Sequence, residues 1–348
     1  MKKTIFILLL CIAVFANIIS VYGFEENEKV NYYQLNLDSN VQSIKIDCDL
    51  YGNGVPKVLD PKRVMNYTAT TKNEILYIIH YLNSFNLIDD GKNYMGYDMP
   101  VAHIYITQND GTVNEMGFVS GNYFERKDNI KTLYKTYKTD YKEYQQFIDF
   151  IYALKTGQYQ FDNDVTFEPS SWANAYMDEA IKDDLVPQKY QINYVGKINR
   201  YEFCQLIYNL LDKEKIIDSD IAKVSSPFTD TDDSNIIALY DNQIIKGKSA
   251  SAFYPYDYIT REELATILDN VYKFMDKDNR SKTEYKASYK DKNTFSSWAT
   301  KSIDNMSSLK VLLGNENNEF CPKSYTTKQE AIVTILKLSK LITPVKAN

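Results

Sequence analysis

The sequence predicts an α+β domain followed by an all-α array of three helix–loop–helix repeats. Two observations carry this. From about residue 29 to 157, segments of period-two alternation mix with segments of helical period, whereas beyond residue 166 only the helical period remains. In that second half a degenerate set of motifs also recurs at matched intervals, the mark of a scaffold built by stacking one supersecondary unit.

Residues 1–23 read as a secretory signal peptide. Lys2 and Lys3 form a positive n-region, Ile5 to Ile19 is an apolar run broken by Asn17, and Val21-Tyr-Gly23 offers a cleavage site. The run is short for a bilayer span, which needs about 20 apolar residues, so cleavage is expected over an uncleaved anchor. Leu10 precedes Cys11 where a lipoprotein signal needs a small residue. Losing Lys2 and Lys3 takes the formal charge from −6 to −8, a diffuse acidic balance that argues against a nucleic-acid partner. No later segment is apolar enough to span a membrane, and the expected product is exported. Three widely spaced cysteines would remain (Cys48, Cys204 and Cys321), too few and too scattered for a disulfide framework. Cys204, within Phe203, Leu206, Ile207 and Leu210, reads as a small buried hydrophobe.

Residues 29–157 form the expected α+β domain. Val30 to Leu37 and Val41 to Leu50 alternate as strands, and Thr71 to Asn86 follows as a helix with Ile75, Leu76, Ile78, Ile79, Leu82 and Phe85 at helical spacing. Ala102 to Ile106 reads as a strand, Asn109-Asp-Gly111 as a hairpin turn and Thr112 to Val119 as the return. Asn122 to Arg126 and Lys131 to Tyr137 can add further strands. Asp140 to Leu154 closes the domain as a helix with Tyr144, Phe147, Ile148, Ile151 and Tyr152 on one face. Residues 158–166 are polar and read as a linker.

Three repeats follow, over 167–213, 226–276 and 287–341. The first reads Phe167 to Trp172-Ala, then Ile198-Asn-Arg200-Tyr-Glu202. The second reads Phe228-Thr-Asp230, Phe253-Tyr-Pro255, then Ile259-Thr-Arg261-Glu-Glu263. The third reads Tyr289-Lys-Asp291, Ser297-Trp298-Ala299, Phe320-Cys-Pro322, then Thr326-Thr-Lys328-Gln-Glu330. The interval from Phe167 to Arg200 equals that from Phe228 to Arg261, and that from Tyr289 to Lys328 is longer, as a loop insertion makes it. Ser170-Ser171, Ser234 and Ser296-Ser297 are expected to cap the first helices. Asn199, Thr260 and Thr326 or Thr327 are expected to open the second, with capping-box spacing at Thr260–Glu263 and Thr327–Glu330.

These motifs resemble the S-layer homology (SLH) modules of bacterial surface-layer and cell-wall-associated proteins, over roughly residues 165–341. The resemblance rests on aromatic-x-Asp, Trp-Ala, Phe-x-Pro and Thr-Arg-x-Glu recurring in order. With the abundance of Asn, Lys, Ile and Tyr, it suggests a low-GC Gram-positive bacterium. It implies a pseudo-threefold helical bundle that binds secondary cell-wall polysaccharide non-covalently, often through pyruvylated sugars, and so holds a protein at the wall. An Arg at a helix N-terminus would offer its planar donor fork to a ketal carboxylate, and an aromatic ring would cover the sugar face.

The matching positions are Arg200, Arg261 and Lys328 for the cation, Asp230 and Asp291 for the acid, and Trp172 and Trp298 for the Trp-Ala ring. Pro169 stands where repeat one would carry the acid, repeat two has Asn235-Ile-Ile near its tryptophan position, and Lys328 lacks the fork. Each motif also has a purely structural reading: tryptophans as core rings, arginines as bridges to helix-end carboxylates.

Little else carries chemistry. His80 and His103 are the only histidines, and no metalloprotease, nucleophile-elbow or phosphate-loop motif occurs. A Cys48–His103 dyad, or paired acids at Asp89-Asp90 or Asp47/Asp49, would be the enzyme reading of residues 29–157. Tyr32, Tyr33, Tyr77, Tyr81, Tyr134 and Tyr137 could form a ligand face there, though aromatics in alternating strands are usually packing. Asp230-Thr-Asp232-Asp233 and Asp276-Lys-Asp278-Asn279 lack the glycine and distal Glu of a calcium loop. No enzyme activity, cofactor or metal is expected. The end, Leu341 to Asn348, shows no covalent wall-sorting signal. The alternative reading is a freely secreted protein whose repeats are a structural or protein-interaction module.

Overall fold

Alternating residues form a sheet and helical-period residues form helices, in two units. The computed structural model describes residues 41–48, 65–85, 100–119, 123–127, 134–138, 140–162, 164–217, 226–275 and 287–342. The signal-peptide segment, Val30 to Leu37 with Tyr32 and Tyr33, Asp49, Asp89-Asp90, Asp276 to Asn279 and the last six residues lie outside them. One unit comprises residues 1–68 and 85–145, the other residues 69–84 and 146–348. The protein is of the α+β class.

The first unit is a sheet. Strands β1 (Val41–Cys48), β2 (Met65–Ala69), β3 (Pro100–Gln108), β4 (Val113–Val119), β5 (Tyr123–Lys127) and β6 (Tyr134–Lys138) lie in the order β2-β1-β3-β4-β5-β6. β1 to β3 and each later neighbour pair antiparallel. Alternation places Ile44, Ile46, Cys48, Ala102, Ile104, Ile106, Met116 and Phe118 on one buried face. Phe85 and Tyr144 cover it, their rings 5.1 and 4.9 Å from Phe118. At the expected hairpin the Gln108 amide donates to Thr112 O at 2.8 Å, and Gly111 takes the left-handed φ of 84° that the turn needs.

The second unit is helical. It holds α1 (Lys72–Asn83), residues 146 onward of α2 (Tyr141–Lys155), α3 (Asn174–Lys182), α4 (Arg200–Lys213), α5 (Ser234–Asp241), α6 (Arg261–Met275), α7 (Thr300–Ser308) and α8 (Lys328–Ile342). Thr71 with Glu74 and Asn199 with Glu202 form complete capping boxes, and Thr260–Glu263 and Thr327–Glu330 make the same reciprocal bonds.

The expected serine caps are different in fact. Asp233, not Ser234, caps α5, accepting from the amides of Asn235 and Ile236. α3 and α7 begin after Ala173 and Ala299 with no side-chain cap, because a turn over Ser170 and Ser296 precedes each helix. In residues 158–166, polar by count, Tyr159 and Val165 are nevertheless buried, and Tyr159 packs on Tyr77, Phe150 and Phe161.

One continuous apolar core runs through α3 to α8, with Phe203, Phe253 and Phe320 fully buried. Gly247 and Gly314 admit close loop packing: a Cβ there would lie 2.6 Å from the Ser249 carbonyl and 2.5 Å from the Tyr289 ring, respectively. Among the described residues no helix is long and apolar enough to cross a membrane.

Candidate functional site

The motif positions gather at three seams, where the opening of α4, α6 or α8 meets the loop of another helix pair. Ile198 N–H donates to Thr326 O (2.9 Å), Ile259 N–H to Ile198 O (3.2 Å) and Thr326 N–H to Ile259 O (3.1 Å), a closed cycle of backbone bonds. The next amides follow the same rule. Arg200, Arg261 and Lys328 donate to the carbonyls of Asp257, Ser324 and Gly196, each at 2.9 Å. Tyr201, Glu262 and Gln329 donate to Pro255, Pro322 and Tyr194 at 2.7, 3.1 and 2.8 Å. First-turn amides have no partner within their own helix; here a neighbouring loop supplies it.

The motif cations sit inside these seams. Arg200 donates from Nε to Phe253 O (3.1 Å) and from Nη2 to Lys246 O (2.8 Å), with its guanidinium 4.4 Å from the centre of the Phe253 ring. Arg261 repeats this on Phe320 O (2.8 Å), Leu313 O (2.7 Å) and the Phe320 ring (5.1 Å). Their Nη1 atoms lie 3.9 Å from Glu263 and 3.7 Å from Glu330. Lys328 takes the corresponding place with 1% of its side chain exposed, donating to Ile192 O (3.1 Å), Glu202 (3.0 Å) and the Tyr77 hydroxyl (3.1 Å). The planar fork expected for a ligand carboxylate thus holds two backbone carbonyls of the protein itself.

The aspartates serve the loops. Asp230 accepts from the amides of Phe253 (2.9 Å) and Tyr254 (2.7 Å), and Asp291 from Phe320 (2.9 Å) and Cys321 (2.8 Å). Tyr254 and Cys321 hold positive φ of 58° and 56°, and the carboxylate secures that backbone turn. In repeat one the backbone amide of Asn193, at φ 55°, instead donates to Thr166 O (2.7 Å), so a carbonyl takes over one of the two amides that an acid serves in the other repeats. Trp172 and Trp298 are not core rings: 52% and 55% of each is exposed.

Sequence reasoning missed the residue after each cation. Tyr201 hydroxyl donates to Asp233 (3.2 Å). Glu262 accepts from Ser296 amide (3.1 Å) and hydroxyl (3.0 Å), with Lys323 paired to it. Gln329 bonds Ser170 through its amide (2.9 Å) and hydroxyl (3.0 Å). Tyr, Glu and Gln share only a position, so no residue-type signal could mark them; their constant offset from the cation could have. Where the seams meet, the Lys197 ammonium lies 5.2 and 5.4 Å over the Tyr258 and Tyr325 rings. A cleft of about 290 Å³ beside them is lined by Gln158, Gln160, Lys248, Tyr256, Asp257, Tyr258 and Tyr325. Burial pushes the Tyr258 hydroxyl up to about 12, with Asp162 adding to it, and burial pushes the Cys204 thiol up to about 12.

In the sheet unit the Cys48–His103 dyad does not form. Cys48 pairs across β1–β3 with Ala102 on the buried face, whereas His103 pairs with Asp47 on the other face, 3.5 Å from Glu115. The described residues hold no group of three or more His, Cys, Asp or Glu placed to bind a metal.

Residues 227–265 and 288–332 match the family model of the S-layer homology domain. Three relatives are similar to parts of the chain. An amylopullulanase of Thermoanaerobacterium thermosulfurigenes is 29% identical over 51% of this chain and 10% of its own length. The exoglucanase XynX of Acetivibrio thermocellus is 30% identical over 40% of this chain and 13% of its own. An endoglucanase of Bacillus sp. (strain KSM-635) is 22% identical over 49% and 18%. The chain thus spans less than a fifth of each relative.

Proposed function

We infer, from a chain that carries S-layer homology domains at residues 227–265 and 288–332, that this protein is held at the bacterial cell surface by its helical unit. The family match supports association with the cell surface or wall. The finer reading is that three helix pairs form a pseudo-threefold bundle that binds secondary cell-wall polysaccharide, pyruvylated sugars among its ligands, and displays the N-terminal unit. The signal-peptide pattern of residues 1–23 supports export. No catalytic role is assigned to the chain.

The observation that carries this reading is the closed cycle of seams. Arg200 reaches Glu263, Arg261 reaches Glu330 and Lys328 reaches Glu202, so each pair grips the next and the third returns to the first. This supports counting residues 167–213 as a third repeat beside the two matched segments. The half-exposed indoles of Trp172 and Trp298 supply flat apolar surface of the kind that packs on a sugar face.

The second reading, a structural or protein-interaction module in a freely secreted protein, draws on one observation: Arg200 and Arg261 donate inward, to carbonyls. Sedimentation separates the two. The full chain should pellet with polysaccharide-bearing walls and remain in solution with walls stripped of polysaccharide. Equal recovery in both supernatants would overturn wall binding and favour the second reading.

A further inference from the structure

The three first-helix approaches are built alike but are not alike in what covers them. Ser170, Asp233 and Ser296 each precede a first helix, and each is bonded to the residue after a seam cation: Gln329, Tyr201 and Glu262 in turn. Two residues further on stand Trp172, Asn235 and Trp298. The two indoles are exposed, whereas Asn235 is buried.

At Asp233 the chain itself supplies the covering. Gln146, in α2, donates to Asp233 Oδ2 (3.0 Å) and Gln205 Oε1 (3.3 Å), and receives a bond from the Lys189 ammonium. Gln205 donates to Asp233 Oδ1 (3.0 Å), and Asn235 to Gln205 Oε1 (2.6 Å). With the Tyr201 hydroxyl and the amides of Asn235 and Ile236, the Asp233 carboxylate accepts five bonds beyond its own amide's contacts. One turn along α2, the carbonyl of Asp149 accepts from the Tyr256 hydroxyl (3.2 Å). Gln146, Gln205, Asp233 and Asn235 are all buried. A saccharide could enter only by displacing α2 and stranding this polar network, and an unpaired buried group costs about 1–3 kcal/mol. Asn in place of Trp fits the same account: it removes the flat ring and adds an inward donor.

We propose that α2 permanently occupies the Asp233 junction, so that the bundle offers two saccharide sites, marked by Trp172 and Trp298, where its repeat number suggests three. This rests on the wall-polysaccharide reading above and adds the number and place of the sites.

The test is a titration of the full chain with a soluble oligosaccharide ending in a pyruvate-ketal sugar. Calorimetry should give two equivalents per chain. W172A and W298A should each lose one and the double variant both, with unchanged helical circular dichroism, since both rings are on the surface. Trp172 and Trp298 are the chain's two tryptophans. W172F and W298F therefore each leave one emitter, and saccharide should shield each from acrylamide. Q146A should keep two equivalents while lowering Tm. Three equivalents, one equivalent, or loss of a site in Q146A would overturn the proposal while leaving wall binding intact if the protein sediments. Absence of binding by the intact chain overturns it as well, and with failed sedimentation removes the wall-binding reading itself.

Discussion

Lys328 Nζ lies 3.0 Å from Glu202 Oε1, with 1% and 4% of the two side chains exposed. At the other seams this place belongs to an arginine at 3.7–3.9 Å from its glutamate. The difference is made up by Tyr77, whose hydroxyl donates to Glu202 Oε1 at 2.5 Å and accepts from Lys328 at 3.1 Å. Lysine plus tyrosine does the work of one guanidinium, and α1 is thereby tied to the repeats. Removing the ammonium leaves a buried carboxylate without its countercharge. K328A should therefore cost about 3–5 kcal/mol, and Y77F, which removes only the hydroxyl, about 1–2 kcal/mol. Urea unfolding of the two variants checks the order.

Asp230 and Asp291 hold their loops and should act on stability first. D230A and D291A each strand two backbone amides at a positive-φ turn, a loss of about 1–3 kcal/mol. Amide exchange should quicken at Phe253 and Tyr254 in D230A, and at Phe320 and Cys321 in D291A. Exchange unchanged from the parent would contradict the assignment.

Much of this was legible in the sequence, and the limits have physical reasons. Second-helix starts were readable because a capping box is local: Asn199–Glu202 and Thr327–Glu330 satisfy each other three residues apart. First-helix starts were not, because Ser170 and Ser296 spend their groups on Gln329 and Glu262, distant in sequence. Trp172 and Trp298 were visible as motif positions, but whether they faced core or solvent depends on tertiary packing. Arg200, Arg261 and Lys328 were visible as helix-opening positions, whereas the backbone carbonyls that Arg200 and Arg261 hold, those of Phe253 and Phe320 among them, carry no side-chain signature. Strand β2 went unseen, since Met65 to Ala69 alternates over only five residues. The membership of α1 in the helical unit rests on Tyr77 and Lys328, far apart in the chain, and no local pattern announces that.

Thiol chemistry should separate the cysteines by burial. Cys204 is enclosed and its thiol is raised to about 12, so it should resist alkylation in the folded protein. Cys321 is only partly buried and should label with a maleimide under the same conditions. Mass spectrometry of the labelled peptides distinguishes them; labelling of Cys204 at the rate of Cys321 would contradict the packing of α4.

His80 supplies a pH dependence. Burial, opposed by its bond to the Gln188 carbonyl at 2.7 Å and assisted by Lys328, lowers its pKa from 6.5 to about 4. At pH 7 the ring is mostly uncharged in both folded and unfolded chains, so it contributes little there. As pH falls below 6.5 the unfolded chain takes up a proton that the folded protein refuses until about pH 4, and stability drops across that window. By pH 5 the loss should be about 2 kcal/mol, from 1.36 kcal/mol for each pKa unit. H80Q cannot titrate and should lose less stability between pH 7 and pH 5 than the parent by that amount. Equal slopes for parent and variant in chemical unfolding would show that His80 is solvated in the folded protein, in contradiction to its place beside Phe167, ring centres 5.7 Å apart.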